Sequence, residues 1–134
     1  MASIHKEIII DAKPEDVWDA LADFGALHTR LASGFVTNTQ VEPGGGARLV
    51  TFSNGSTARE LLVTKDDMRR RIVYAVAPNE RITQHSASAQ VFAVDKKRSR
   101  FVWIADVLPN AIGEYIGEQM ELGIGFIKQT LERA

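Results

Sequence analysis

Apolar residues recur along this chain with two different periods. From residue 110 to 134, Ile112, Ile116, Gln119, Met120, Gly123, Ile127 and Thr130 return at steps of three and four. That spacing gathers side chains on one face of a helix. Glu114, Glu118, Glu121, Lys128 and Glu132 fall largely away from the face, as solvent requires. Asn110, just after Pro109, is placed to cap the helix with its side chain. Four glycines, Gly113, Gly117, Gly123 and Gly125, lie inside it. Each costs about 1 kcal/mol against alanine in a helix interior. Close packing against a neighbour accounts for them, and so, at Gly123, does room for a ligand.

The rest of the chain leads up to this helix. Residues 4–10 are a β-branched run and predict a first strand. Pro14, Glu15 and Asp16 suit a first helical turn. Val17, Trp18, Leu21, Ala22 and Phe24 continue it as a short amphipathic helix that Gly25 should end, and residues 26–32 predict a second. From Phe35 the period becomes two. Strands are expected over 35–42, 47–52, 57–64, 69–76, 82–94 and 99–107, separated by turn residues that include Asn54-Gly55. Six hairpin-linked strands and one long helix leave too little second sheet for a sandwich. The expected architecture is α+β, a curved seven-stranded antiparallel sheet wrapped around the C-terminal helix. Two short helices would join strands 1 and 2, and residues 1–134 would form one domain.

Composition removes several functions. The 134 residues carry a formal net charge of −1. The basic runs Arg69-Arg70-Arg71 and Lys96-Lys97-Arg98 sit beside Asp66, Asp67 and Asp95, as hairpin ends do. No nucleic-acid partner is expected. There is no cysteine, so disulfides and thiolate chemistry are excluded. No apolar run suits a signal peptide or a membrane helix, so a cytoplasmic protein without membrane insertion is expected. His5, His28 and His85 lie on separate elements and give no metal-ligand pattern; neither a metal nor a cofactor is expected. His5 and His28 read as surface or rim residues.

Sorting the strands by parity identifies a hollow. One face of the strand over 82–94 carries Thr83, His85, Ala87, Ala89, Val91 and Ala93. A row of alanines does not fill a core unless something else occupies the volume. Ile72, Tyr74 and Val76 share a face, as do Val50 and Phe52. Large residues beside small ones around a void suit a mainly apolar ligand. Glu60 shares a face with Ala58 and Leu62. Parity alone leaves it either in the hollow or as a solvated carboxylate paired to Arg59 or Arg48. Trp103 sits in a strand whose two faces are both apolar. Trp18 reads as core between its helix and the sheet.

Several stretches resemble a known family. They are Pro14-Glu-Asp-Val-Trp18, Gly45-Gly46-Ala47-Arg48, Ala58-Arg59-Glu60-Leu61-Leu62, Asp66-Asp67 with Arg70-Arg71 and Tyr74, and Phe101-Val102-Trp103. In this order they resemble the START/SRPBCC (birch-pollen-allergen-like) superfamily, in its polyketide cyclase/dehydrase-like branch. The resemblance covers essentially the whole chain. It implies a helix-grip fold with a cavity between sheet and long helix. Plant abscisic-acid receptors of that superfamily show a ligand-facing pattern similar to Val50, Phe52, Glu60, Tyr74, His85, Ile116, Met120 and Gly123. Their two mouth loops correspond to residues 53–56 and 77–81. Their Leu-Pro-Ala loop is absent here, so a hormone-receptor role is not carried over. With Val76 and Ala87 added from parity, these residues form the candidate site. The expected function is binding of a small hydrophobic ligand: a lipid, isoprenoid, aromatic or polyketide-like molecule. One alternative is a cyclase or dehydratase with Glu60 and His85 as acid and base. Another is a protein-interaction module. A monomer or a homodimer suits each.

Overall fold

The computed structural model describes residues 2–134. The β-branched run and the six period-two segments form seven strands: β1 (Ala2–Ile10), β2 (Val36–Val41), β3 (Ala47–Phe52), β4 (Thr57–Asp66), β5 (Arg71–Val76), β6 (Gln84–Ala93) and β7 (Ser99–Leu108). They pair antiparallel in one curved sheet, in the order β1-β7-β6-β5-β4-β3-β2. Strands β2 to β7 are therefore a meander, and β1 returns to the far side of β7. The Asn54-Gly55 signal is a tight turn between β3 and β4. Gly55 has φ 88°, a backbone region that costs glycine nothing. Asn54 Oδ1 accepts the Ser56 N–H at 2.9 Å, so the side chain holds its own turn. Arg69 and Arg70, expected within a strand, lie in the β4–β5 turn, where Arg70 takes φ 51°.

Helix α1 (Pro14–Ala22) opens on the proline and carries Glu15 and Asp16 in its first turn. It ends before Phe24 rather than after it, because Asp23 leaves helical geometry at φ −78°, ψ 86°. The second short helix is a single π-helical turn, Leu27–Leu31. The C-terminal segment begins as a 3-10 turn, Asn110–Ile112, and continues as α2 (Gly113–Arg133). Asn110 is not a cap. Neither the turn nor α2 has a side-chain cap bond, and Ile112 stands at the position before α2.

Helix α2 buries Ile116, Met120, Gly123, Ile124, Ile127 and Leu131, close to the expected stripe. Gln119 and Thr130 are only half-buried. Its lower half joins an apolar cluster with Ile10, Val17, Leu21, Leu31, Phe35 and Phe101. Its upper half joins a second cluster, with Tyr74, Ala105 and Val107. Two glycines face the edge strand β1, and at Gly113 the missing side chain is what lets the helix approach. A Cβ on Gly113 would stand 2.6 Å from Ala2 Cβ, and one on Gly117 3.8 Å from Ile4 Cγ2. A Cβ on Gly125 would meet nothing within 4 Å. Gly113→Ala should thus lower stability by about 1 kcal/mol, since overpacking outweighs the gain in helix propensity. Gly125→Ala should raise it by about 0.5–1 kcal/mol. Urea denaturation of both variants measures the difference.

Candidate ligand cavity

Cross-strand register builds the site. Arg48 on β3 stands opposite Glu60 on β4, which stands opposite Val76 on β5. One row further, Tyr74 on β5 faces Ala87 on β6, which faces Ala105 on β7. In the row beyond, Ile72 faces Ala89, which faces Trp103. Trp103 Nε1 donates a hydrogen bond to the Tyr74 hydroxyl at 3.0 Å. The two residues lie on strands either side of β6, so the bond crosses above it. The β6 residues in those rows must be small, and they are Ala87 and Ala89. The alanine row is thus filled in part by an aromatic bridge, and not by empty space alone. The inward face of β7 carries Phe101, Trp103, Ala105 and Val107, which resolves the orientation of Trp103.

Between this face and α2 lies a cavity of about 500 Å³. Phe52, Ile72, Tyr74, Val76, Ala89, Phe101 and Trp103 line it from the sheet. Helix α2 contributes Ile116, Gln119, Met120, Gly123 and Ile127, and the π-helical turn contributes Leu27 and Leu31. Ser56 from one hairpin and Asn79, Glu80 and Arg81 from another reach the lining, as the loop correspondence predicts. Asn79 Oδ1 accepts the N–H groups of Arg81 and Ile82 at 2.8 and 2.9 Å. The Arg81 guanidinium lies 5.2 Å from the Tyr115 ring centre on α2.

The polar part of the cavity wall is an ion pair. Arg48 Nε donates to Glu60 Oε1 at 2.9 Å, and Nη2 lies 2.8 Å from the same oxygen. Both residues are buried. Arg48 Nη1 also donates to the Phe24 carbonyl at 3.0 Å, and its Cζ lies 4.2 Å from the Phe24 ring centre. One guanidinium therefore ties the end of α1 to β3 and β4. Burial pushes the Glu60 carboxyl above its ordinary value, while the Arg48 charge and hydrogen bond oppose that rise. Burial, then the Glu60 charge, pushes the Tyr74 phenol up. His85 borders the cavity half-buried, and burial pushes its imidazole below its ordinary value.

Of the candidate residues, Phe52, Glu60, Tyr74, Val76, His85, Ile116, Met120 and Gly123 border the cavity. Val50 and Ala87 do not. Val50 is wholly buried in the same apolar cluster as Leu21, Leu31 and Phe35. Ala87 lies beneath the Trp103–Tyr74 bridge. Gly123 borders the cavity, but a Cβ there would stand 3.0 Å from Phe35 Cε2 and 3.1 Å from Trp103 Cζ3. Its missing side chain admits those rings, not a neighbouring backbone. Arg48 was missed as a wall residue, though it is in phase with Val50 and Phe52, which placed it inward. Glu60 is the buried partner of Arg48, not a solvated carboxylate. Trp18 packs against the core from outside the cavity, donating to Asp67 Oδ1 at 3.2 Å. His5 is exposed beside Glu7, as expected. His28 is half-buried, as at a rim, and its Nδ1 is buried without a hydrogen-bond partner among the described residues.

The chain matches the family described as polyketide cyclase / dehydrase and lipid transport over residues 1–133. It belongs to that family. Its fold matches that of a START superfamily protein from Mycobacterium smegmatis, with TM-score 0.80 and 12% identity over 99% of each chain. The di-domain ARO/CYC protein BexL, from the BE-7585A biosynthetic pathway, superposes with TM-score 0.84 and 13% identity. That match covers 98% of this chain and 47% of BexL. Norcoclaurine synthase from Thalictrum flavum, in complex with dopamine and hydroxybenzaldehyde, gives TM-score 0.69 and 18% identity over 95% of this chain and 84% of its own. At these identities the likeness is one of fold. No curated protein sequence matches the chain. Among the described residues, no helix is long and apolar enough to cross a membrane.

The ion pair makes a stability prediction. Glu60→Ala leaves a guanidinium buried and unpaired, and should cost about 3 kcal/mol in urea unfolding. Replacing both partners, as Arg48→Met with Glu60→Leu, should recover most of that loss. His85 makes a second, in pH. Its ordinary value is 6.5 and its folded value is lower. The unfolded chain therefore takes up the proton first as the solution is acidified. The stability linked to His85 is complete above pH 6.5 and is lost as pH falls from there through the folded value. His85→Gln should flatten the pH dependence of unfolding free energy in that window; a slope equal to that of the unaltered protein would contradict this.

Proposed function

We propose that the chain binds a small hydrophobic ligand, such as a lipid, isoprenoid, aromatic or polyketide-like molecule, in the cavity between sheet and α2. The observation that carries this reading is the cavity itself. Its volume of about 500 Å³ falls within the range of about 300–1,000 Å³ usual for small-molecule sites. Its walls are mainly aliphatic and aromatic, with polar groups at the Arg48–Glu60 pair, Tyr74, His85, Gln119 and the mouth. The family's description, which includes lipid transport, supports the same reading. Residues 1–134 act as one ligand-binding unit. Phe52, Tyr74, Val76, Ile116 and Met120 provide apolar contact, and Met120 adapts to ligand shape through its flexible thioether. Glu60 and His85 orient the polar end.

A reaction in the same cavity is the second reading, and the observation that favours it is His85. Burial disfavours its protonated form, and a general base requires the unprotonated one. Glu60, engaged by Arg48, is the weaker choice for moving a proton. A cyclase or dehydratase reaction would therefore lose turnover with His85→Ala more than with Glu60→Gln.

The binding reading predicts that the neutral fluorophore N-phenyl-1-naphthylamine binds with one molecule per chain. Met120→Trp, which fills the middle of the cavity, should weaken that binding at least about tenfold. The circular dichroism spectrum should be unchanged. Equal binding by the filled variant would place the probe elsewhere and defeat the reading.

A further inference from the structure

The charges on the cavity lining cancel. Its ionisable groups are Arg48, Glu60, Tyr74, His85, Glu80, Arg81 and Tyr115. Arg48 and Glu60 neutralise each other at the wall. Glu80 and Arg81 stand together at the mouth, with the Arg81 guanidinium over the Tyr115 ring. Burial disfavours the charged forms of Tyr74 and His85. An ionised ligand therefore finds no uncompensated counter-charge inside, and a buried charge without one is costly.

The two halves of the ion pair are not equally engaged. Arg48 uses Nε and Nη2 on Glu60, Nη1 on the Phe24 carbonyl, and one face on the Phe24 ring. Glu60 receives both contacts on Oε1. Glu60 lines the cavity, and its Oε2 accepts no hydrogen bond from the described residues. Oε2 is thus the acceptor of this lining residue that Arg48 leaves free, carrying part of a negative charge in mainly apolar surroundings.

Building on the ligand-binding reading above, we propose that the cavity selects electrically neutral ligands bearing a hydroxyl donor, an alcohol or phenol, that donates to Glu60 Oε2. Carboxylates and phosphates on the same skeleton are rejected. A hydroxyl gains a charge-assisted bond there and leaves no polar group unpaired. An ether of similar size leaves Oε2 without a donor, and an anion meets Glu60 as a like charge. Sites built to hydrogen-bond a hydroxyl discriminate well against analogues that lack it.

The test is displacement of N-phenyl-1-naphthylamine at neutral pH by three naphthalenes: 2-naphthalenemethanol, its methyl ether and 2-naphthoate. The alcohol should bind about tenfold or more tightly than either of the others. Glu60→Gln leaves Arg48 as an unpaired cation in the wall. In that variant 2-naphthoate should gain about tenfold or more, and the alcohol should lose its lead over the ether. If Glu60→Gln does not fold, the three ligands on the unaltered protein decide the matter. Binding of 2-naphthoate as tight as that of the alcohol overturns the proposal. If Arg81→Gln abolishes that binding, the anionic end sits at the mouth, and the proposal is equally overturned. Failure of the neutral probe itself to bind overturns the ligand-binding reading along with it.

Discussion

One helix cannot cover seven strands, and the rest of the structure follows from that mismatch. Gly113 brings the start of α2 down onto β1, at one edge of the sheet. The opposite edge, β2, lies beyond its reach. The connection from β1 to β2 supplies the remaining cover, as α1 and the π-helical turn, and the two parts meet in the cluster of Leu21, Leu31, Phe35 and Ile127. Between them the concave face is only partly filled. The cavity is the volume left over when a curved sheet is closed by two covers of unequal length.

The Arg48–Glu60 pair sits where the end of α1 meets the sheet. A buried ion pair is weak support for stability in itself, because desolvation offsets most of the attraction. Its geometry here does other work. The guanidinium fastens the Phe24 carbonyl, just past the end of α1, to two neighbouring strands. It also leaves Glu60 as a directional acceptor in the wall of a largely apolar chamber. Packed hydrophobic residues at the same positions would close the joint but offer a ligand no orientation.

Much of the fold was legible because strand parity and turn chemistry are local. The inward face of β6 and the Asn54-Gly55 turn each depend on a few adjacent residues. The element ends were less legible. Asp23 carries no sequence mark that ends a helix one residue after Ala22, and nothing in Leu27–Leu31 distinguishes a π-helical turn from an α-helical one. The site was legible by residue but not by pairing. Glu60 was singled out, yet its partner is set by the β3–β4 register, which no single strand reveals. The alanines of β6 suggest space. They are small chiefly because residues from two other strands meet above them. Val50 followed the right parity and still missed the cavity, since parity says which face is inward and not how deep a side chain lies.

The aromatic bridge across β6 has a consequence for how such a sequence can drift. Tyr74, Ala87, Ala89 and Trp103 come from three strands, and none can change size alone. A bulkier residue at 87 or 89 displaces the bridge. A smaller one at 74 or 103 opens a void and leaves a polar group without its partner. Positions up to 29 residues apart are therefore bound to vary together. The mark they leave in a lineage is correlated substitution at separated sites, not fixed identity at any one of them.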